Sequence, residues 1–276
     1  MRLVLALFPL AAALAADPSF LYRRVPDLPA RPSGPVCSYD PLFGQGATDA
    51  VVPSGVARYS ILNLAGAGTC KTEVYPEEEQ IWVVLAGAGK VTYGNTSTAV
   101  KKDDFMYFAP GVPHGASNSD SAPLRIVMMG YRVPKDAKIT APATLPLANI
   151  GEVKKQVVGG HPPTTLYQLL IGTTASTRDR LAVATVVTSL FVMEFAPGGT
   201  NTPHRHKGEE EIYMLLDGHG DMVAGGAPDG TGGRHPATPG DAYYIPAGIT
   251  VGFFNNDAAG EPKAHILAVR STCPKE

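Results

Sequence analysis

The sequence predicts an all-β protein made of one module used twice, and three observations carry that reading. Residues 66–89, GAGTCKTEVYPEEEQIWVVLAGAG, align without gaps on residues 197–220, PGGTNTPHRHKGEEEIYMLLDGHG, at a constant offset of 131 with eight identical pairs. A match of that length marks an internal duplication. The 30 Gly and 25 Pro among 276 residues leave little room for long helices. Short runs rich in Val, Ile, Tyr and Phe are separated by Gly, Pro, Asn and Asp, the punctuation of a strand array rather than of βαβ units. Many short, closely spaced strands fit a sandwich or barrel.

In chain order, the first segment carries Arg2, an apolar stretch from Leu3 to Leu14, and Ala13-Leu14-Ala15, a small-x-small cleavage pattern. Residues 1–16 therefore read as a secretory signal, with a periplasmic or secreted destination. The apolar stretch is shorter than the roughly 20 residues of a spanning helix, so no membrane attachment is expected after cleavage. Residues 17–57 are Pro-rich and read as an arm that packs on the barrels. The first copy occupies 58–132. Residues 133–181 form a linker with one ordered piece, TTLYQLLIG, a strand or a short helix. The second copy occupies 182–276. Upstream of the aligned block, YSILNLA at 59–65 faces LFVMEFA at 190–196. Downstream, FAPGVPHGASN at 108–118 faces YIPAGITVGFFN at 244–255 at an offset of 137, which places six extra residues in the loop AGGAPDGTGGRHPATPG.

Composition excludes several classes of function. Hydrophobic residues make up 44% and charged residues 17%, too apolar for a disordered chain. The net charge is -2 with no basic run, which argues against nucleic acid as a partner. Cys37, Cys70 and Cys273 allow at most one disulfide and leave one thiol over.

The residues that carry chemistry lie in the second copy. His204 and His206 are separated by one residue, so on a strand both imidazoles share a face. Glu211 opens the apolar strand EIYMLLDG, and a turn through KGEE brings its carboxylate toward the imidazole pair. Two neutral imidazoles and a carboxylate make a three-ligand metal site with open positions.

These residues resemble the two signature motifs of the cupin superfamily. Gly198, His204, His206, Glu211 and Gly218 occupy the places of the first motif. Gly240, Pro246, Gly248 and Asn255 occupy those of the second, where Val251 stands in the place of a His. The resemblance implies a bicupin: two double-stranded β-helix barrels of jelly-roll type, each with an interior pocket. In the first copy, Glu73 and Tyr75 replace the two His and Gln80 replaces the Glu, while Gly111, His114 and Asn118 complete the second motif. That barrel reads as a degenerate metal site in which His114 is a hydrogen-bonded remnant. Glu73, Gln80 and His114 are the alternative, a second N,O site.

One divalent transition metal per chain is expected, Fe, Mn or Zn, with His204, His206 and Glu211 as ligands. Two His and one carboxylate with vacant positions match non-haem Fe(II) oxygenases. Glu211 doubles as a candidate base and Tyr213 as a candidate acid. Strand alternation sends Tyr213 and Leu215 into the barrel with Glu211, and Ile212, Met214 and Leu216 to the opposite side. Val251, Phe253 and Asn255 share a face and are the candidate substrate pocket. The expected function is an exported dioxygenase acting on a small, metal-chelating organic substrate. The alternatives are a non-redox hydrolase, decarboxylase or isomerase, or a small-molecule binding protein without catalysis. Self-association as a homodimer or larger is expected through exposed sheet edges. The acidic runs Glu77-Glu78-Glu79 and Glu209-Glu210 read as solvated turns, with Glu210 able to orient a ligand His. His161, His219, His235 and His265 lack ligand spacing and read as surface or satisfied core residues.

Overall fold

The computed structural model describes residues 20–25, 31–32, 36–47, 53–256 and 262–273. The expected export signal at 1–16 and parts of the arm lie outside these residues. The described residues form four antiparallel-rich sheets and one short 3₁₀ turn at Ile150–Glu152. Each copy is built from a seven-stranded and a four-stranded sheet. The all-β, two-barrel expectation from duplication and turn-rich composition is therefore met.

The two seven-stranded sheets have corresponding strand orders. In the first, the order is Leu147–Asn149, Asp104–Phe108, Glu78–Ala86, Leu124–Arg132, Val56–Leu64, Cys37–Gly44 and Arg31–Pro32. In the second, it is Leu21–Arg24, Asp241–Ile245, Glu209–Asp217, Ala264–Thr272, Val187–Phe195, Thr165–Thr173 and Leu181–Ala184. The first strand of each order comes from the segment that precedes the other barrel. Leu21–Arg24, from the arm, pairs with Asp241–Ile245 of the second barrel, and Leu147–Asn149, from the segment between copies, pairs with Asp104–Phe108 of the first. Each barrel thus has one edge covered by a strand that belongs, in sequence, to its neighbour. TTLYQLLIG is a strand in the second sheet, antiparallel to Val187–Phe195. It corresponds to Cys37–Gly44, which pairs with Val56–Leu64.

Period-two alternation sorts the side chains of these sheets. Ile212 and Met214 join Tyr59, Ile61, Ile81, Val83, Val127 and Tyr244 in the largest apolar cluster, where the two seven-stranded sheets meet. Tyr213 and Leu215 face the other way, into the second barrel, with Phe195, Val251, Phe253 and Ile266. The interior of the first barrel is filled by Leu62, Trp82, Val84, Phe108 and Met128. Large side chains buried this way contribute about 1.5–3 kcal/mol each.

The acidic runs are not simple solvated turns. Glu79 and Glu210 are 0% and 1% exposed. Glu79 accepts from the backbone N–H groups of Thr185, Val186 and Val187 at 2.7–3.0 Å, and from the Tyr107 hydroxyl at 3.2 Å. Glu210 accepts from the N–H groups of Gly55 and Val56, both at 2.7 Å, from the Ser54 hydroxyl at 3.2 Å and from the Tyr244 hydroxyl at 2.6 Å. Each carboxylate satisfies the start of a strand in the opposite barrel, where orphan amides would otherwise be buried. The polar repeat concealed this, because periodicity cannot distinguish a solvated acid from one that caps a distant strand.

Cys37 and Cys70 form a disulfide that ties strand Cys37–Gly44 to the rest of the first barrel, and Cys273 is free. This agrees with the expectation of one bridge and one remaining thiol.

Candidate metal centre

His204 lies in strand Thr200–Arg205 directly opposite Val251, His206 follows that strand, and Glu211 lies in Glu209–Asp217 opposite Ile245 and Arg270. These elements come from both sheets of the second barrel. The ligand atoms of His204, His206 and Glu211 lie within 4.8 Å of one another, the only such group of three His, Cys, Asp or Glu among the described residues. His204 and His206 are half-buried and Glu211 is 2% exposed.

Nδ1 of His204 lies 2.8 Å from the Thr202 carbonyl, which assigns its proton to Nδ1 and leaves a lone pair on Nε2. The Nε2 atoms of His204 and His206 are 2.9 Å apart, and Nε2 of His206 is 3.5 Å from Oε2 of Glu211. That carboxylate oxygen is buried and has no hydrogen-bond partner. Without an ion, the contact between the imidazoles requires a proton on Nε2 of His206. With a cation, both imidazoles use lone pairs and the orphaned oxygen gains a partner. The donor set therefore fits a divalent transition metal.

Burial lowers the pKa of His204, and burial with the Arg270 charge lowers that of His206 to about 4. Both imidazoles stay neutral, as metal ligation needs. Burial pushes Glu211 up to about 8, opposed by Arg270. Arg270, whose place in the first barrel is held by Gly130, lies with Nη1 3.4 Å from Nε2 of His206 and Nε 3.4 Å from Glu209. Glu209, not Glu210, is the acid beside a ligand: its Oε2 is 3.5 Å from Nδ1 of His206. Sequence reasoning missed Arg270, which lies outside both motifs.

Tyr213 points inward from the Glu211 face. Its hydroxyl accepts from Nδ2 of Asn201 at 3.3 Å, and burial with the Glu211 charge holds its pKa well above the usual tyrosine range. Asn201 also accepts from the Phe253 N–H at 2.8 Å, linking the ligand strand to its neighbour. Val251 and Phe253 line the barrel interior, with Phe253 packed on Phe195 at 4.8 Å. Asn255 is placed differently: its side-chain amide donates to the carbonyls of Phe195 and Pro262, both at 3.4 Å.

The corresponding corner of the first barrel holds a guanidinium. Arg58 donates to both carboxylate oxygens of Glu78 at 2.8 and 2.9 Å, and its Cζ lies 4.0 Å from the centroid of the Tyr75 ring. Gln80, in the place of Glu211, donates to Glu78 at 2.7 Å. His114 donates from Nδ1 to the Val112 carbonyl at 2.7 Å and stacks on Phe108 at 4.3 Å. Glu73 is paired with Lys71 at 3.7 Å on the rim. Glu73, Gln80 and His114 are thus held by these separate partners, and the Arg58–Glu78 pair occupies the corner.

The remaining histidines divide. His265 is held by Asp217 at 2.6 Å and Glu194 at 3.2 Å, and His235 contacts the Ala224 carbonyl at 3.2 Å. These are satisfied, as expected. His161 is not: its ring lies 5.1 Å from that of His204 and its Nδ1 is buried without a partner. Spacing along the chain gave no sign of this, because the segment before the barrel brings it to the site.

Comparison with known proteins places these barrels in a family. The cupin domain model matches residues 61–130 and 191–268, one region in each barrel. A stretch of 87 residues, 32% of this chain, is 32% identical to the uncharacterized protein MJ1618 of Methanocaldococcus jannaschii. The match spans 60% of the length of that protein. A Pseudomonas aeruginosa structure provisionally named as a glyoxylate induced protein is 13% identical with a TM-score of 0.72, covering 94% of this chain and 91% of that one. Ylba from E. coli is 16% identical with a TM-score of 0.68, covering 94% and 93%. The Lactobacillus farciminis oxalate decarboxylase, in a formate complex, is 14% identical with a TM-score of 0.67, covering 93% and 87%. At these identities the likeness bears on the fold.

Proposed function

The chain belongs to the cupin family, with a cupin domain in each barrel, and from that premise we propose that it is a metal-dependent enzyme of dioxygenase type, acting on a small organic substrate that chelates the metal. The observation that carries this reading is the convergence of His204, His206 and Glu211 within 4.8 Å around a buried, unpartnered carboxylate oxygen. When bound, a transition metal with vacant positions supplies Lewis acidity and a route for electrons. The protein's own groups do the rest. The Thr202 carbonyl fixes the tautomer of His204, and Arg270 sets a positive charge beside the ligands that favours an anionic substrate. Glu211 is the candidate base, and Tyr213, oriented by Asn201, the candidate acid.

A non-redox reading with the same ligands is the second candidate. It draws support from the fold shared with an oxalate decarboxylase, and from Arg270 as a partner for a carboxylate. The two separate in one experiment. The chain is reconstituted anaerobically with Fe, Mn or Zn, and oxygen uptake is followed with a panel of small chelating acids. Oxygen consumed in proportion to product supports the dioxygenase, whereas turnover without oxygen selects the second reading. Less than a tenth of an equivalent of every metal after reconstitution overturns both.

The reading includes export, supported by the Cys37–Cys70 disulfide, since such bridges persist in oxidising compartments. It also includes a homodimer or larger assembly, which light scattering checks.

A further inference from the structure

We propose that His161, carried by the segment preceding the second barrel, supplies a fourth protein ligand to the metal centre in place of the imidazole that Val251 lacks. The inference rests on the metal-binding reading above and adds a residue from outside both motifs.

Three observations carry it. His161 meets His204 edge to face, with centroids 5.1 Å apart and planes at 63°, much as His204 meets His206 at 4.7 Å and 88°. Two imidazoles bound to one ion at 2.0–2.1 Å hold their centroids about 4.5–5 Å apart. The second observation is the orphaned Nδ1 of His161, a buried ring nitrogen with no hydrogen-bond partner. Leaving such a group unpaired is unfavourable, and a cation would satisfy it. The third is the corner left by the motif. Val251, directly across the ladder from His204, brings no imidazole there, and His161 is a further imidazole against the His204 ring.

The placement of His161 follows from the fold. A turn in which its N–H donates to the Val158 carbonyl at 3.2 Å carries the residue, and its ring leans on Tyr167 at 5.5 Å. Tyr167 belongs to the added strand Thr165–Thr173, so the segment is anchored to the barrel one turn away. The ring nitrogens of His161 lie outside the 4.8 Å group formed by the other three ligands. Ligation therefore requires an inward swing of the half-buried His161 side chain on metal uptake.

The test uses the full chain, stripped of metal and reloaded with Cu(II), with nitrogen couplings counted by EPR and Zn(II) affinity measured by competition. Three coupled nitrogens in the parent chain, two in His161→Ala, and an affinity for Zn(II) at least about 10-fold weaker in that variant are the expected results. His161→Gln is the second variant, and unchanged melting of both variants without metal shows that the barrel is intact. Two nitrogens in the parent chain, with equal affinity in both variants, overturn the role of His161 and leave the three-ligand centre standing. A parent chain that binds no metal overturns the wider reading as well.

Discussion

The two barrels share one plan and differ in what holds the positive charge at their mouths. In the second, His204, His206 and Glu211 converge, and Arg270 lies beside them, its guanidinium 3.4 Å from Nε2 of His206 and 3.4 Å from Glu209. In the first, Arg58 crosses the corner from a different strand, pairs with Glu78 and lies over Tyr75, while Gln80 has lost the charge of Glu211. Gly130 is what lets Arg58 through: a Cβ there would lie 2.7 Å from Cγ of Arg58 and 2.4 Å from Nε2 of Gln80. The lesson is that a corner which loses ligand residues is not left empty: here a guanidinium and its counter-ion fill it.

The largest expected effect breaks the comparison most directly. His204→Ala or Glu211→Ala abolishes metal binding, with affinity falling at least about 100-fold, whereas His114→Ala leaves one metal per chain. Elemental analysis checks this. Two metals per chain, or loss of metal on changing His114, would show that the first barrel is not degenerate.

The next prediction sharpens the likeness. Glu79→Ala and Glu210→Ala each strand buried amides at the start of a strand in the opposite barrel, so each loses about 3–5 kcal/mol in urea unfolding. Equal losses mean equivalent roles, and a loss confined to one variant would break the two-fold relation.

A smaller effect belongs to the first barrel alone. Replacing Cys37 and Cys70 together by Ala opens a 33-residue separation and costs about 3 kcal/mol, with the metal site unaffected. Thermal melting with metal titration separates the two consequences.

The last effect is a slope with pH rather than a fixed loss. Burial, assisted by the nearby Arg58 charge, lowers the His114 pKa from 6.5 to about 4. Between those values the unfolded chain binds a proton at this residue that the folded chain refuses, so stability rises with pH across the window and is lost as pH falls. The contribution is about 1.4 kcal/mol per pH unit. His114→Gln removes that increment from the urea-derived profile, and an unchanged slope would show that the residue is not held neutral.

Much of this was legible in the sequence, for particular reasons. The duplication exposed the two barrels, and period two sent Tyr213 and Leu215 inward and Ile212 and Met214 to the face between barrels, as the clusters confirm. The His-x-His pair and Glu211 were readable because strand alternation and one turn suffice to bring them together. What escaped detection depends on contacts between distant segments. Glu79 and Glu210 looked like solvated acids because their partners lie over 100 residues away. Arg270 and His161 sit in segments without a motif. The strand Thr165–Thr173 and its counterpart Cys37–Gly44 share no obvious pattern, so the repeat visible in the sequence is shorter than the repeat in the fold.

The crossed edge strands have a consequence for how such a chain came about. Leu21–Arg24 lies on the second barrel and Leu147–Asn149 on the first, and the Glu79 and Glu210 bonds cross the same boundary in both directions. Reciprocal donation of this sort is the mark of an isologous interface, in which each partner lends the other the same piece. The molecule therefore has the form of an ancestral dimer fused into one polypeptide. Severing it between the repeats should yield two fragments that are incomplete apart and competent to reassemble by complementation.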